Sequence, residues 1–142
     1  MLIRTLLMNL MSKKKKHPDI NCPFCDSPAE WVSHSEIYGR IYNQAAHMIW
    51  LCRQCDAYVG CHNNTKQPLG QMANAHMRKA RKLTKELFIK VCLNGQWKCD
   101  KHLKESAYCW LARELDITRH ECHFGDFTVE RCREAYRILQ KV

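Results

Sequence analysis

The chain has 142 residues, with 23 Lys and Arg against 14 Asp and Glu, a formal charge of +9. That length fits one compact domain or two very small ones, and the absence of low-complexity tracts excludes a wholly disordered or fibrous protein. The cation excess favours a polyanionic partner such as nucleic acid, an acidic protein or an anionic surface, although solubility alone also accounts for it.

The chain starts with an apolar stretch (Leu2, Ile3, Leu6, Leu7, Met8, Leu10) that carries one cation, Arg4, and is followed by lysines at 13–16. A secretory signal has the reverse order and a small-residue cleavage site. A bilayer span needs about 20 apolar residues. Residues 1–19 therefore read as a disordered basic leader, with Met11 as an alternative start, and the expected compartment is cytoplasmic with no membrane contact. Ten cysteines raise the prospect of a disulfide scaffold. Their pairing as CxxC and the missing export signal argue for metal ligation instead.

Residues 20–66 read as a zinc ribbon. Cys22-Pro-Phe-Cys25 is a tight turn that presents two thiolates, since Pro23 presets φ and the amides fold around the sulfurs. Short strands are expected at 30–34, 48–51 and 57–60, with a turn-rich connection over 35–45. The second strand delivers Cys52 and Cys55. Pro68 and Gly70 then break the chain before a helical region, 67–142. A helix over about 72–91 places Ala73, Met77, Ala80, Leu83, Leu87 and Val91 on one side and Arg78, Lys79, Arg81, Lys82 and Lys85 on the other. Asn94-Gly95 ends it. A second helix over about 101–115 buries Leu103, Ala107, Trp110, Leu111 and Leu115. A third, over about 129–141, buries Val129, Cys132, Tyr136 and Leu139, with Thr128 as N-cap. The expected fold is α+β: a ribbon of short antiparallel strands packed on a bundle of about three helices, cooperative as one unit.

Two CxxC pairs separated by 26 residues supply four soft ligands for one structural Zn2+: Cys22, Cys25, Cys52 and Cys55. A closed thiolate shell leaves no position for substrate. An iron–sulfur centre uses the same atoms and is the lesser reading. Cys99, His102, Cys122 and His123 form a weaker second metal-capable set, whereas Cys92, Cys109 and Cys132 read as core thiols. No catalytic residue is assigned. The enzymatic alternative is an HNH-like metal-dependent nuclease built on Cys61-His62-Asn63. It needs a base histidine on the preceding strand, and His34 and His47 lack the neighbours that such a base requires.

Between residues 76 and 104 there are nine cations and two acids. A one-sided cationic helix tracks a phosphate backbone, so Arg78, Lys79, Arg81, Lys82 and Lys85 are the expected nucleic-acid contacts. Asn74 and Gln71 are candidates for reaching base edges, and Trp31, Tyr38, Tyr42 and Trp50 for stacking on unpaired bases, with at least half of those aromatics expected in the core.

In CPFCDSPAEWVSHSEIYGR, WLCRQCDAYVGCH and KQPLGQMANAHMRKARK, and more weakly in AYCWLARELDI and CHFGDFTVERC, the chain resembles a family of bacterial and phage proteins described as zinc-finger-containing. The resemblance spans residues 20–135. It implies that the four ribbon cysteines are zinc ligands and that the protein has a phage or prophage origin; it implies no activity. The resulting expectation is a small non-enzymatic zinc protein that binds nucleic acid. The competing one is a module that binds and modulates a host defence or transcription enzyme.

Overall fold

A computed structural model describes residues 20–142; the leader at 1–19 and the alternative start at Met11 lie outside the described residues. Strands β1 (Glu30–Ser33), β2 (Met48–Cys52) and β3 (Ala57–Gly60) form one antiparallel sheet in that order. Trp31 pairs with Trp50 across β1 and β2, and Cys52 with Ala57 across β2 and β3. The two tryptophan rings lie 4.8 Å apart. Trp50 is buried, and its indole N–H donates to the Lys66 carbonyl at 2.9 Å, which satisfies the one polar group it carries into the core.

The connection from β1 to β2 is more regular than its composition indicates. It holds a single helical turn, α1 (Ser35–Tyr38), and a 3-10 turn, Gln44–Ala46. Gly39 stops α1 at φ +71°, donating to the Ser35 carbonyl; glycine enters that left-handed region without the Cβ penalty.

The second half contains α2 (Ala75–Cys92), α3 (Lys101–Glu114) and α4 (Val129–Leu139), with 3-10 turns at Arg119–Glu121 and Phe124–Asp126 before α4. Each helix begins on a side-chain cap. Asn74 accepts from Met77, Asp100 from His102 and Leu103, and Thr128 from Arg131. The first helix thus starts later than its periodicity indicates. Met72 and Ala73 are buried in extended chain instead, and Ala73 exchanges two backbone hydrogen bonds with Tyr58 of β3. Asn94 and Gly95 follow α2 with positive φ, and the Gly95 N–H returns to the Ile89 carbonyl, closing the helix in the expected manner.

Phe88, Leu93, Leu111, Leu139, Cys122, Cys132 and Ala135 are essentially inaccessible and form the helical core, with Phe124 and Phe127 beside them. Burying a side chain like Phe88 is worth about 1.5–3 kcal/mol. The buried line of α2 runs through Thr84 and Phe88, while Leu83 is 47% exposed. Leu103 and Tyr136 also lie largely at the surface. The apolar stripe read from the sequence is therefore rotated on α2, because α4 packs against the Thr84 side, where the Thr84 hydroxyl reaches the Ala80 carbonyl at 2.8 Å.

A smaller core of Cys22, Cys52, Ala57 and Met72 belongs to the ribbon. The two halves meet where the chain leaves β3. A Cβ on Gly70 would come within 2.7 Å of the Asp126 carboxylate and 3.2 Å of the Gly125 carbonyl, so a larger residue here would displace the Asp126 side chain and press the linker away from the turn before α4.

Candidate functional site

The CxxC turns are built alike. In the first, the Cys22 N–H donates to the Ser27 carbonyl and the Asp26 N–H to the Cys22 carbonyl, both at 2.8 Å. In the second, Cys52 ends β2 and Ala57 begins β3, so the turn closes a hairpin. The residue after each second cysteine, Asp26 or Asp56, has positive φ. Aspartate tolerates that conformation better than most side chains. The outcome is convergence: the four sulfurs of Cys22, Cys25, Cys52 and Cys55 lie within 4.8 Å of one another, and those of Cys25 and Cys52 are 3.6 Å apart.

These distances suit zinc. Sulfurs tetrahedral about a zinc at about 2.3 Å are about 3.8 Å apart, whereas a disulfide brings them to about 2.05 Å. All four cysteines are free thiols. Their mutual effects show the same demand. Hydrogen bonds from Ser27 bring Cys25 down to about 6, while the neighbouring sulfurs, Cys25 foremost, and burial push Cys55 up to about 12. Four thiolates this close repel one another, and a dication removes that penalty. Zn2+ held here closes the ribbon and contributes folding free energy.

Among the described residues this is the one set of three or more metal-capable side chains whose ligand atoms gather. Cys99, His102, Cys122 and His123 are not brought together. Cys122 is fully buried in the helical core, where burial pushes its thiol up to about 11. His123 is exposed and faces the rings of Tyr108 and His120. The HNH-like residues are placed no more suggestively. His62 is exposed, the Asn63 side chain accepts from Asn43, and the ring Nε2 of buried His34 accepts the Tyr42 N–H at 3.0 Å.

The structure divides the five cations expected to contact nucleic acid. Arg78 turns toward the ribbon: it donates to the Asp56 carboxylate at 2.9 Å and to the carbonyls of Asp56 and Ala73, and lies 4.0 Å over the Tyr58 ring. Arg81 is half-buried and donates to the Phe127 carbonyl at 2.9 Å. Lys79 and Lys82 are exposed, Lys82 at 4.0 Å from Glu86. Lys85 joins a feature that helical periodicity did not reveal. Its ammonium and that of Lys104, on α3, each lie 4.0 Å from the centre of Trp97, in the α2–α3 turn. Burial first, and then the Lys104 charge, pull Lys85 below its ordinary pKa.

Among the described residues the ion pairs engage Arg53, Arg78, Lys82, Arg119 and Arg131. Lys79, Lys85, Lys90, Lys98, Lys101 and Lys104 have no carboxylate partner there. The polar side chain of Asn74 is spent on capping α2, whereas Gln71 is exposed. Of the ribbon aromatics, Trp50 is core, Trp31 packs on it, and Tyr38 and Tyr42 are 48% and 60% exposed. No helix among the described residues is long and apolar enough to cross a membrane.

Residues 18–142 match the model of a family described as a zinc-finger-containing domain. No curated protein and no solved structure matches the chain.

Proposed function

The chain belongs to the family of zinc-finger-containing domains, and from that premise we propose that it binds nucleic acid through a lysine-rich edge formed by α2, the α2–α3 turn and the start of α3, with the zinc ribbon as its scaffold. The observation that carries this reading is the pair Lys85 and Lys104, held against one partly exposed tryptophan with no carboxylate between them. Crowding two ammonium groups is unfavourable in isolation and becomes favourable beside a polyanion. Lys98 and Lys101 lie beside Trp97 and Lys104 in sequence and are exposed, as are Lys79 and Lys90 further round α2. Arg78 and Arg81, counted from sequence among the contacts, support the edge from within by fixing α2 to the rest of the fold. The zinc site has the closed character of a structural one and supplies no step of chemistry.

The test is fluorescence anisotropy of zinc-loaded protein with labelled duplex DNA, single-stranded DNA and RNA across a salt series. Affinity should fall with salt, with a log–log slope of about −4 to −5 on duplex for about five phosphate contacts. A Lys79→Gln, Lys85→Gln, Lys104→Gln variant should weaken binding and flatten that slope. Salt-independent binding, no binding at low salt, or a variant indistinguishable from the parent would overturn the reading.

A further inference from the structure

A cleft of about 760 Å³ opens between the ribbon and the start of α2, a size typical of small-molecule sites. Three features of its walls define what fits. The first is charge. No carboxylate lines it among the described residues, whereas Arg81 and Arg78 do, the latter already paired with Asp56. The second is an unused donor. Arg81 lines the cleft and spends its Nε on the Phe127 carbonyl, while neither of its terminal nitrogens has an acceptor among the described residues and only Nη2 is fully covered. Asp126 is near enough to act on this guanidinium electrostatically and does not pair with it. A partly desolvated guanidinium with unpaired N–H groups is costly, and phosphate oxygens, meeting it at the accessible Nη1, are among its best-matched acceptors. The third is an aromatic wall. Tyr38 and Tyr58 stand edge to face with ring centroids 6.3 Å apart. Arg78 covers Tyr58, while Tyr38 remains about half exposed. The amide of Gln71 completes the lining with both a donor and an acceptor suited to a base edge.

An aromatic surface and a free amide for the base, and an unpaired guanidinium for the phosphate, match the two ends of a nucleotide. We propose that this cleft binds one nucleotide unit, its base stacked on Tyr38 and its phosphate held by Arg81. Two sources carry that chemistry: an unpaired nucleotide of a bound strand, or a free nucleoside monophosphate. The strand source rests on the nucleic-acid reading above; the free nucleotide does not, and the cleft shares no residue with the lysine edge.

The experiment is a titration of zinc-loaded, 15N-labelled protein with adenosine, cytidine, guanosine and uridine 5′-monophosphates, followed by amide shifts, alongside anisotropy with single-stranded oligonucleotides. Binding should shift the amides of Gly60, His62 and Gly70, which line the cleft. Adenosine and inorganic phosphate, each offering half of the ligand, should bind more weakly than adenosine monophosphate. Tyr38→Ala, at an exposed position, should weaken the monophosphate and the single strand by roughly 5- to 150-fold, the range of one lost base stack. Arg81→Met should do the same where it folds, and Gln71→Ala gives a second exposed substitution if it does not. The lysine-edge variant should lose strand binding and keep the monophosphate. Strand binding that is lost in the lysine variant and unchanged in Tyr38→Ala, with no shift on adding any monophosphate, overturns the cleft and leaves the edge standing. Monophosphate binding that depends on Tyr38, with no strand bound at low salt, upholds the cleft and overturns the edge.

Discussion

Arg78 of α2 and Asp56 of the second CxxC turn are joined by two hydrogen bonds, one to the aspartate carboxylate at 2.9 Å and one to its carbonyl at 2.6 Å. Asp56 directly follows the ligand Cys55. The same guanidinium also caps the Ala73 carbonyl and covers Tyr58. One side chain thus couples the metal turn, the sheet and the long helix, so the ribbon and the helical half should sense each other's stability.

Replacing that side chain should show the coupling. The ion pair by itself is worth little, because Asp56 is mostly exposed. The carbonyl bonds and the stacking on Tyr58 matter more, and Arg78→Met should cost about 1–3 kcal/mol in urea denaturation of the zinc-loaded protein. Arg78→Lys should recover little of this, since an ammonium cannot reproduce a planar fork over an aromatic ring. A lysine variant as stable as the parent would show that charge alone makes the contact.

Metal analysis of the purified protein should find one zinc per chain. Cys22→Ser should abolish it and melt the ribbon, while Cys109→Ala, outside the thiolate set, should keep both metal and melting transition. Zinc affinity should weaken as pH is lowered, because protons compete for the thiolates that the metal requires. Retention of stoichiometric zinc by Cys22→Ser would refute the four-thiolate centre.

Two glutamates should shape the acid side of the stability profile. Glu105 is held below its ordinary 4.5 by its hydrogen bond to Arg119, and Glu121 by hydrogen bonds to the Thr118 backbone and hydroxyl. A carboxylate depressed in the folded state stabilises above its unfolded pKa, and that contribution is lost as pH falls through the folded value. Glu121→Gln should therefore be less stable than the parent at pH 7, and the gap should narrow below about pH 4.5. The readout is the difference between parent and variant at each pH, with zinc content matched. A gap that stays constant or widens toward low pH would contradict the assignment.

The helical core should respond to volume more than to polarity. Phe88 is inaccessible to solvent and packs against Tyr108 and Phe124 at ring-centroid distances of 4.9 and 5.3 Å. Phe88→Ala should cost about 3–5 kcal/mol, through lost transfer free energy and the cavity left behind. Thr84→Val, which keeps the shape and removes the hydroxyl bonded to Ala80, should cost about 1 kcal/mol or less. Comparable losses in both variants, by urea denaturation, would mean that the longer contact of the Thr84 hydroxyl with the Cys132 carbonyl on α4, at 3.4 Å, carries more than an ordinary hydrogen bond.

The residue types and spacings by themselves determined the metal centre. Two CxxC turns at this spacing read as paired metal ligands, and their chemistry is local to a few residues on either side. The three strands, the Thr128 cap and the Asn94-Gly95 stop were legible for the same reason. The start of α2 was not. Residues 72 and 73 suit the helical pattern, yet Tyr58, distant in sequence, supplies backbone partners that hold Ala73 in extended chain. Nor was the fate of the basic stripe. Periodicity places Arg78, Arg81 and Lys85 together on one side of a helix, but it cannot say which neighbours cross that side. Tertiary packing brought Asp56 to Arg78, the Phe127 carbonyl to Arg81, and Trp97 with Lys104 to Lys85. Which cations are spent within the fold and which face a partner depends on contacts between segments tens of residues apart, and no local pattern encodes those.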